Sequence, residues 1–184
     1  MADDSPVDRV FREAGAIIEA VKAHADLSIE IAAADNLRKA LLLAAASHFE
    51  RVICTGVLEF VRKESNGNVR IEEFVRNKAI GRQYHTWFSW EGKNANQFFS
   101  LFGSEFSTKM KAYVSNNEVF DESIKAFLEI GNERNRLAHQ DFATFSLEKT
   151  MEEIYALYQK ALLFVRQFPL MLRNFEIDDG NLIK

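Results

Sequence analysis

Pro6 and Pro169 are the only prolines in the 184 residues, and the chain between them is filled with Ala, Leu, Glu, Lys, Arg and Phe. Proline blocks a helix interior by removing a donor and crowding the preceding turn, so its absence over so long a stretch leaves helices free to form. Strands would need a sustained apolar/polar alternation, which these residues do not show. The expected fold class is all-α. The length suits one domain spanning residues 1–184, because two halves would each bury a thin core. Hydrophobic residues at 47%, with sixteen Phe among them, supply that core.

Apolar spacings of three and four divide the chain into helices. Val10, Ala14, Ile17, Ile18, Val21 and Ala25 mark a first helix over 7–31. A second runs from Asn36 to about Lys63, apolar nearly all round at residues 40–46, and ends at Asn66-Gly67-Asn68. A short helix over 71–79 leads into a connector, 81–94, that carries Tyr84, Trp87, Phe88 and Trp90. Those rings either cover the bundle or form a protein interface; packing as a cover is the simpler expectation. Residues 95–114 read as helical with a bend at Gly103, and Asp121 and Glu122 open a helix that runs toward His139. Ser146 is the expected cap of a last helix, Pro169 its expected end or kink, and 176–184 a polar, frayed tail.

The single Cys54 sits among Val52, Ile53 and Val57, where it is a small hydrophobe with no disulfide partner. Asp3, Asp4 and Asp8 stand where a secretory signal would carry Lys or Arg. A reducing, cytoplasmic setting is therefore expected. The longest unbroken apolar run, Ala40 to Ala46, falls well short of the roughly 18 residues a bilayer needs, so no membrane association is expected. The net charge of -4 disfavours indiscriminate duplex binding. Residues 67–117 nevertheless hold seven basic and four acidic residues, enough for a local phosphate-binding groove.

The chain has no Walker-type glycine loop, no Cys pair, no HExxH and no metal-ligand spacing among its four His, so neither a metal nor a cofactor is expected. His24 and His85 read as structural imidazoles. The segment from Gly131 to Asp141 is polar and two-signed at the end of an apolar-faced helix. Within it, Arg134 and His139 would point about 140° apart on a continuous helix. If the helix stops near Ala138, His139 can swing toward Arg134. A fixed cation beside a proton-exchanging imidazole suits phosphodiester chemistry, and an RNA strand brings its own nucleophile, the 2′-hydroxyl. The alternative is a solvated helix end with His139 as a cap on the dipole, and composition alone can produce such a spacing. Glu50, Arg136 and His48 are supporting candidates. Glu50 could orient Arg134; His48, two residues away, faces another direction and would need tertiary help.

At Arg134-Asn135-Arg136-Leu137-Ala138-His139 the sequence resembles the HEPN superfamily, whose signature is Arg, a polar residue, further residues and then His. The stretch Ser47-His48-Phe49-Glu50-Arg51 before an apolar helix is similar to the RiboL-PSP-HEPN group, and the resemblance covers about residues 35–170. It implies a HEPN-like four-helix bundle with additional short helices, usually dimeric. In active members it implies a metal-independent endoribonuclease whose paired motifs share a groove across a homodimer. Arg134 would then contact the scissile phosphate of single-stranded RNA, His139 would move a proton, and Asn135 would orient one of them or bind phosphate. Such nucleases belong to toxin, phage-defence or RNA-processing systems, where an antitoxin or other defence protein can be a partner. Members that only bind partners also exist, which leaves a scaffold or antitoxin-like role as the alternative.

Overall fold

The computed structural model describes residues 5–24, 26–174, 177–178 and 181–182. Its helices are α1 (Pro6–His24), α2 (Leu27–Glu64), α3 (Val69–Val75), α4 (Asn96–Ser100), α5 (Ser104–Ser115), α6 (Glu118–His139) and α7 (Met151–Arg173). α3 runs on into a π turn over Arg76–Ile80, and a 3-10 turn spans Tyr84–Thr86. The long helices α1, α2, α6 and α7 form a four-helix bundle, with the short elements inserted between α2 and α6. The fold is all-α, with additional short helices, as the sequence predicts.

The inside is built largely of phenylalanine. Phe49, Phe98, Phe99, Phe120, Phe127, Phe164 and Phe168 are all at most 1% exposed. Phe can be buried completely because it has no polar atom to satisfy, and each such side chain contributes about 1.5–3 kcal/mol. Their rings make one continuous cluster, with centroids 4.5 Å apart for Phe98 and Phe168 and 5.0 Å for Phe127 and Phe164. α2 is apolar on several sides because α1, α6 and α7 all pack along it. An 18-residue window of this helix, mean hydropathy 1.4, meets the length and composition needed to cross a membrane, which the longest unbroken run did not reveal. In the fold, that window supplies core residues such as Leu41, Leu42 and Ala45.

Helix ends differ from the sequence expectations wherever a better cap was available. The first break falls at Asp26, whose carboxylate accepts from the Ile29 N–H at 3.0 Å, so the stretch 27–35 belongs to α2. Ala25 lies outside the described residues. α6 starts at Glu118 because Asn117 accepts from the Phe120 N–H; Asp121 and Glu122 instead pair with Lys125. Ser146 does not cap α7. Thr150 and Glu153 satisfy each other's backbone N–H groups at 3.1 and 2.8 Å, a reciprocal box that Ser146, with Lys149 three residues on, cannot form. Gly103 interrupts rather than bends its helix, since its φ of 98° favours a residue without a Cβ.

Pro169 neither ends α7 nor leaves it unsupported. The helix continues to Arg173, and the proline ring faces Gly56 of α2, where a Cβ would lie 2.6 Å from the Pro169 Cβ. Arg173 then ties the end of α7 to α2 through Glu59 at 2.9 Å and through its own carbonyl, which accepts from Lys63. In the tail, residues 176, 179, 180, 183 and 184 lie outside the described residues. The four described between them pair antiparallel, Ile177 with Leu182 and Asp178 with Asn181, as β1 (Ile177–Asp178) and β2 (Asn181–Leu182).

Candidate functional site

α6 changes character along its length. Phe120, Ile124, Phe127, Leu128 and Ile130 are buried, while the polar residues crowd into its last turns, where only Leu137 still reaches the core. There an open cleft of about 570 Å³ forms. Arg134, Asn135, Ala138 and His139 line it from α6, Glu50 from α2, and Arg82, Tyr84, His85 and Trp90 from the connector. A narrow recess beneath reaches Ala46, Phe49, Phe127 and Gly131.

α6 ends at His139, one residue beyond Ala138, with Gln140 as its extended cap. Arg134 and His139 both line this cleft. The Arg134 guanidinium donates to Asn135 Oδ1 at 3.2 Å, which draws its head round the helix toward the Asn135 direction. Asn135 and His139 are four residues apart and therefore only about 40° from each other. The hydrogen bond thus holds the Arg134 head on the side of α6 that also carries His139. Among the described residues no carboxylate pairs with Arg134; its side-chain hydrogen bond is to Asn135 and not to Glu50. Glu50 nonetheless borders the cleft, next to buried groups. Burial raises the Tyr84 hydroxyl well above its ordinary pKa, with Cys54 and Glu50 adding to the rise and Arg134 opposing it. Burial, with Glu50 again adding, pushes the Cys54 thiol up to about 12.

Arg136 turns outward. It pairs with Glu133 at 2.9 Å, lies over the Phe145 ring at 5.5 Å, and lines an adjoining cleft that shares Trp90, Asn135 and His139 with the first. The chain leaving His139 is clipped to α2 by the buried Lys39, which pairs with Asp35 at 2.7 Å and donates to the Phe142 carbonyl at 3.0 Å. His48 is not brought to the site. Its ring meets Tyr158 edge-on at 5.9 Å, and burial, then Arg51 and Arg166, lower its pKa. Among the described residues, no three His, Cys, Asp or Glu side chains are grouped to hold a metal.

The connector is a cover. Trp87 and Phe88 are buried; Phe88 packs on Phe98 at 4.4 Å and on Phe127 at 4.9 Å, and Tyr84 sits among Trp87, Phe88 and Trp90. A protein-contact surface built from these four rings is thereby excluded for Trp87 and Phe88. Arg82, Tyr84, His85 and Trp90 were not among the sequence candidates for the site, and His85 is an exposed cleft residue rather than a packed imidazole. The available signal was the interleaving of basic and aromatic residues from Arg82 to Trp90.

A model of the RiboL-PSP-HEPN family matches residues 10–174, a span that includes the whole cleft. No curated protein and no solved structure matches the chain.

Proposed function

The chain belongs to the RiboL-PSP-HEPN family, and from that membership we propose that it is an endoribonuclease cleaving single-stranded RNA by attack of the substrate 2′-hydroxyl on the neighbouring phosphate. The observation that carries this reading is the convergence of Arg134, Asn135 and His139 in one open cleft. Arg134 offers a planar, permanently charged set of donors to the phosphate oxygens as charge develops, and Asn135 holds that fork in place. His139 is exposed at the cleft edge, where its imidazole can reach a hydroxyl proton. The nucleophile belongs to the substrate, so the chemistry asks for no metal-bound water.

A homodimer that sets two such clefts side by side is part of the same proposal. Arg136, Ala138 and His139 are all exposed, which leaves the motif open to a second copy and to a strand running between the two. A toxin or phage-defence setting, with an antitoxin-like partner, is the proposed context.

RNA incubated with the protein and a chelator should yield 2′,3′-cyclic phosphate and 5′-hydroxyl ends, and His139→Ala should abolish turnover while the helical fold persists. Cleavage that needs a divalent metal and leaves 5′-phosphates would refute the mechanism. A second reading, a non-catalytic interaction module, is favoured by α3, where Val69 and Phe74 are 68% and 67% exposed. It predicts no cleavage of total RNA even at high protein concentration.

A further inference from the structure

RNA cleavage by 2′-hydroxyl attack moves two protons, one off the nucleophile and one onto the departing 5′-oxygen, and His139 alone can serve only one of these at a time. We propose that His85, from the connector of the same chain, is the general acid that works opposite His139. This inference rests on the ribonuclease reading above and adds to it a catalytic residue outside the motif.

Both imidazoles border the same cleft, with Arg134 and Asn135 on its wall. His85 also borders the recess below, beside Arg134 and Trp90. The connector around it is fixed to a degree unusual for a loop. The Trp90 indole N–H donates to the His85 carbonyl at 2.8 Å, and the Trp87 indole N–H to the Ala79 carbonyl at 3.1 Å. Gln97 donates to the Thr86 carbonyl, and the Thr86 hydroxyl to the Gln83 carbonyl, each at 2.7 Å. Two indoles and two polar side chains thus hold the backbone on both sides of His85, the support a proton-transfer group needs.

The side chains divide accordingly. Tyr84 and Trp87 pack inward, whereas the His85 ring is exposed and has no hydrogen-bond partner among the described residues. Arg82, just before the turn, adopts φ of 60°, a conformation that non-glycine residues rarely accept, and also lines the cleft. The chain thus tolerates strain where it brings the connector back over the site. Of the other proton carriers in the cleft, Tyr84 holds its proton more tightly because it is buried.

The step balances within one protomer. His139 takes the 2′-hydroxyl proton as the new O2′–P bond forms, Arg134 holds the phosphate oxygens, the P–O5′ bond breaks, and protonated His85 delivers its proton to O5′. The products are the cyclic phosphate and a 5′-hydroxyl. Water returns a proton to His85 and removes one from His139 before the next turnover. A second protomer would then lengthen the binding groove without having to supply the acid.

The test compares an oligoribonucleotide with a matched one whose scissile 5′-oxygen is replaced by sulfur, because a thiolate departs without needing a proton. On the oxygen substrate, His85→Ala should lose about 10²–10⁴-fold in kcat, the usual contribution of a positioned acid. On the sulfur substrate the same variant should come back to within about tenfold of the wild type, while His139→Ala stays inactive on both. His85→Gln gives the same comparison should the Ala variant fail to fold. A loss equal on both substrates, or His85 variants as active as the wild type on the oxygen substrate, would overturn the assignment and leave the acid to the partner subunit's motif. A wild-type protein that cleaves neither substrate would sink the ribonuclease reading itself, and this inference with it.

Discussion

Gly131→Ala should weaken the fold and distort the cleft through a single ring. A Cβ at this position would lie 2.0 Å from Trp90 Cζ3 and 2.1 Å from Cε3. Carbon atoms rest about 3.5–4.0 Å apart, so the indole must retreat by roughly 1.5–2 Å. It has little freedom to do so: Phe88 lies 4.9 Å away, Tyr84 and Phe127 each 5.7 Å, and the indole N–H is committed to the His85 carbonyl at 2.8 Å. Overpacking of this kind costs about 1–3 kcal/mol and loss of the hydrogen bond about 1 kcal/mol. Replacing a helical glycine returns about 1 kcal/mol. The net expectation is a destabilisation of about 2 kcal/mol, which for a domain of this size is a fall of roughly 4–8 °C in Tm. Urea unfolding of Gly131→Ala, Trp90→Ala and the double variant measures it as a cycle. With the indole gone, the added methyl meets space, and Gly131→Ala should become neutral or stabilising by up to about 1 kcal/mol. The same cost in both backgrounds, or a stabilised single variant, would refute the steric account.

Thr150→Ala should cost about 1 kcal/mol in urea unfolding because it breaks the reciprocal cap of α7, while Ser146→Ala should stay within about 0.5 kcal/mol of the wild type; the reverse order would return the helix start to Ser146. His48 provides a pH test. Its folded pKa lies below the ordinary 6.5, chiefly through burial. The unfolded chain therefore binds that proton first, so its contribution to stability is complete well above 6.5 and is lost as pH falls from 6.5 through the folded value. His48→Gln should flatten the decline in urea midpoint between about pH 7 and 5; an unchanged slope would place its cause elsewhere.

The helices were legible where one periodic pattern dominated. The Phe98, Phe99, Phe102, Phe106 and Met110 series reads as one apolar face, and all but Phe102 are buried, although the helix carrying it is broken at Gly103. Boundaries failed where the cap, rather than the stripe, decides. Asp26, Asn117 and Thr150 each won over a plausible neighbour by accepting from a backbone N–H. The α6 half of the cleft could be read because Arg134, Asn135 and His139 lie within six residues of sequence. The other half could not, because nothing local says that the connector from Arg82 to Trp90 folds back against the end of α6. His85 illustrates the difficulty. Its exposure follows from Tyr84 and Trp87 packing inward on Phe88 and Phe98, partners that only the tertiary fold supplies. His48 failed for the opposite reason, since helical geometry turned it away from Glu50 and toward Tyr158.

The contact between Gly56 and Pro169 makes two distant positions vary as one. A methyl on residue 56 would meet the proline ring at 2.6 and 2.7 Å, so alanine at 56 is closed to this chain while the ring is present. Replacing Pro169 first opens that space and also restores the backbone donor that the carbonyl four residues earlier lacks. The two changes are therefore accessible in one order and blocked in the other. A lineage that has fixed both could recover the proline only by first reverting to glycine, which gives the crossing of α2 and α7 a direction in time as well as in space.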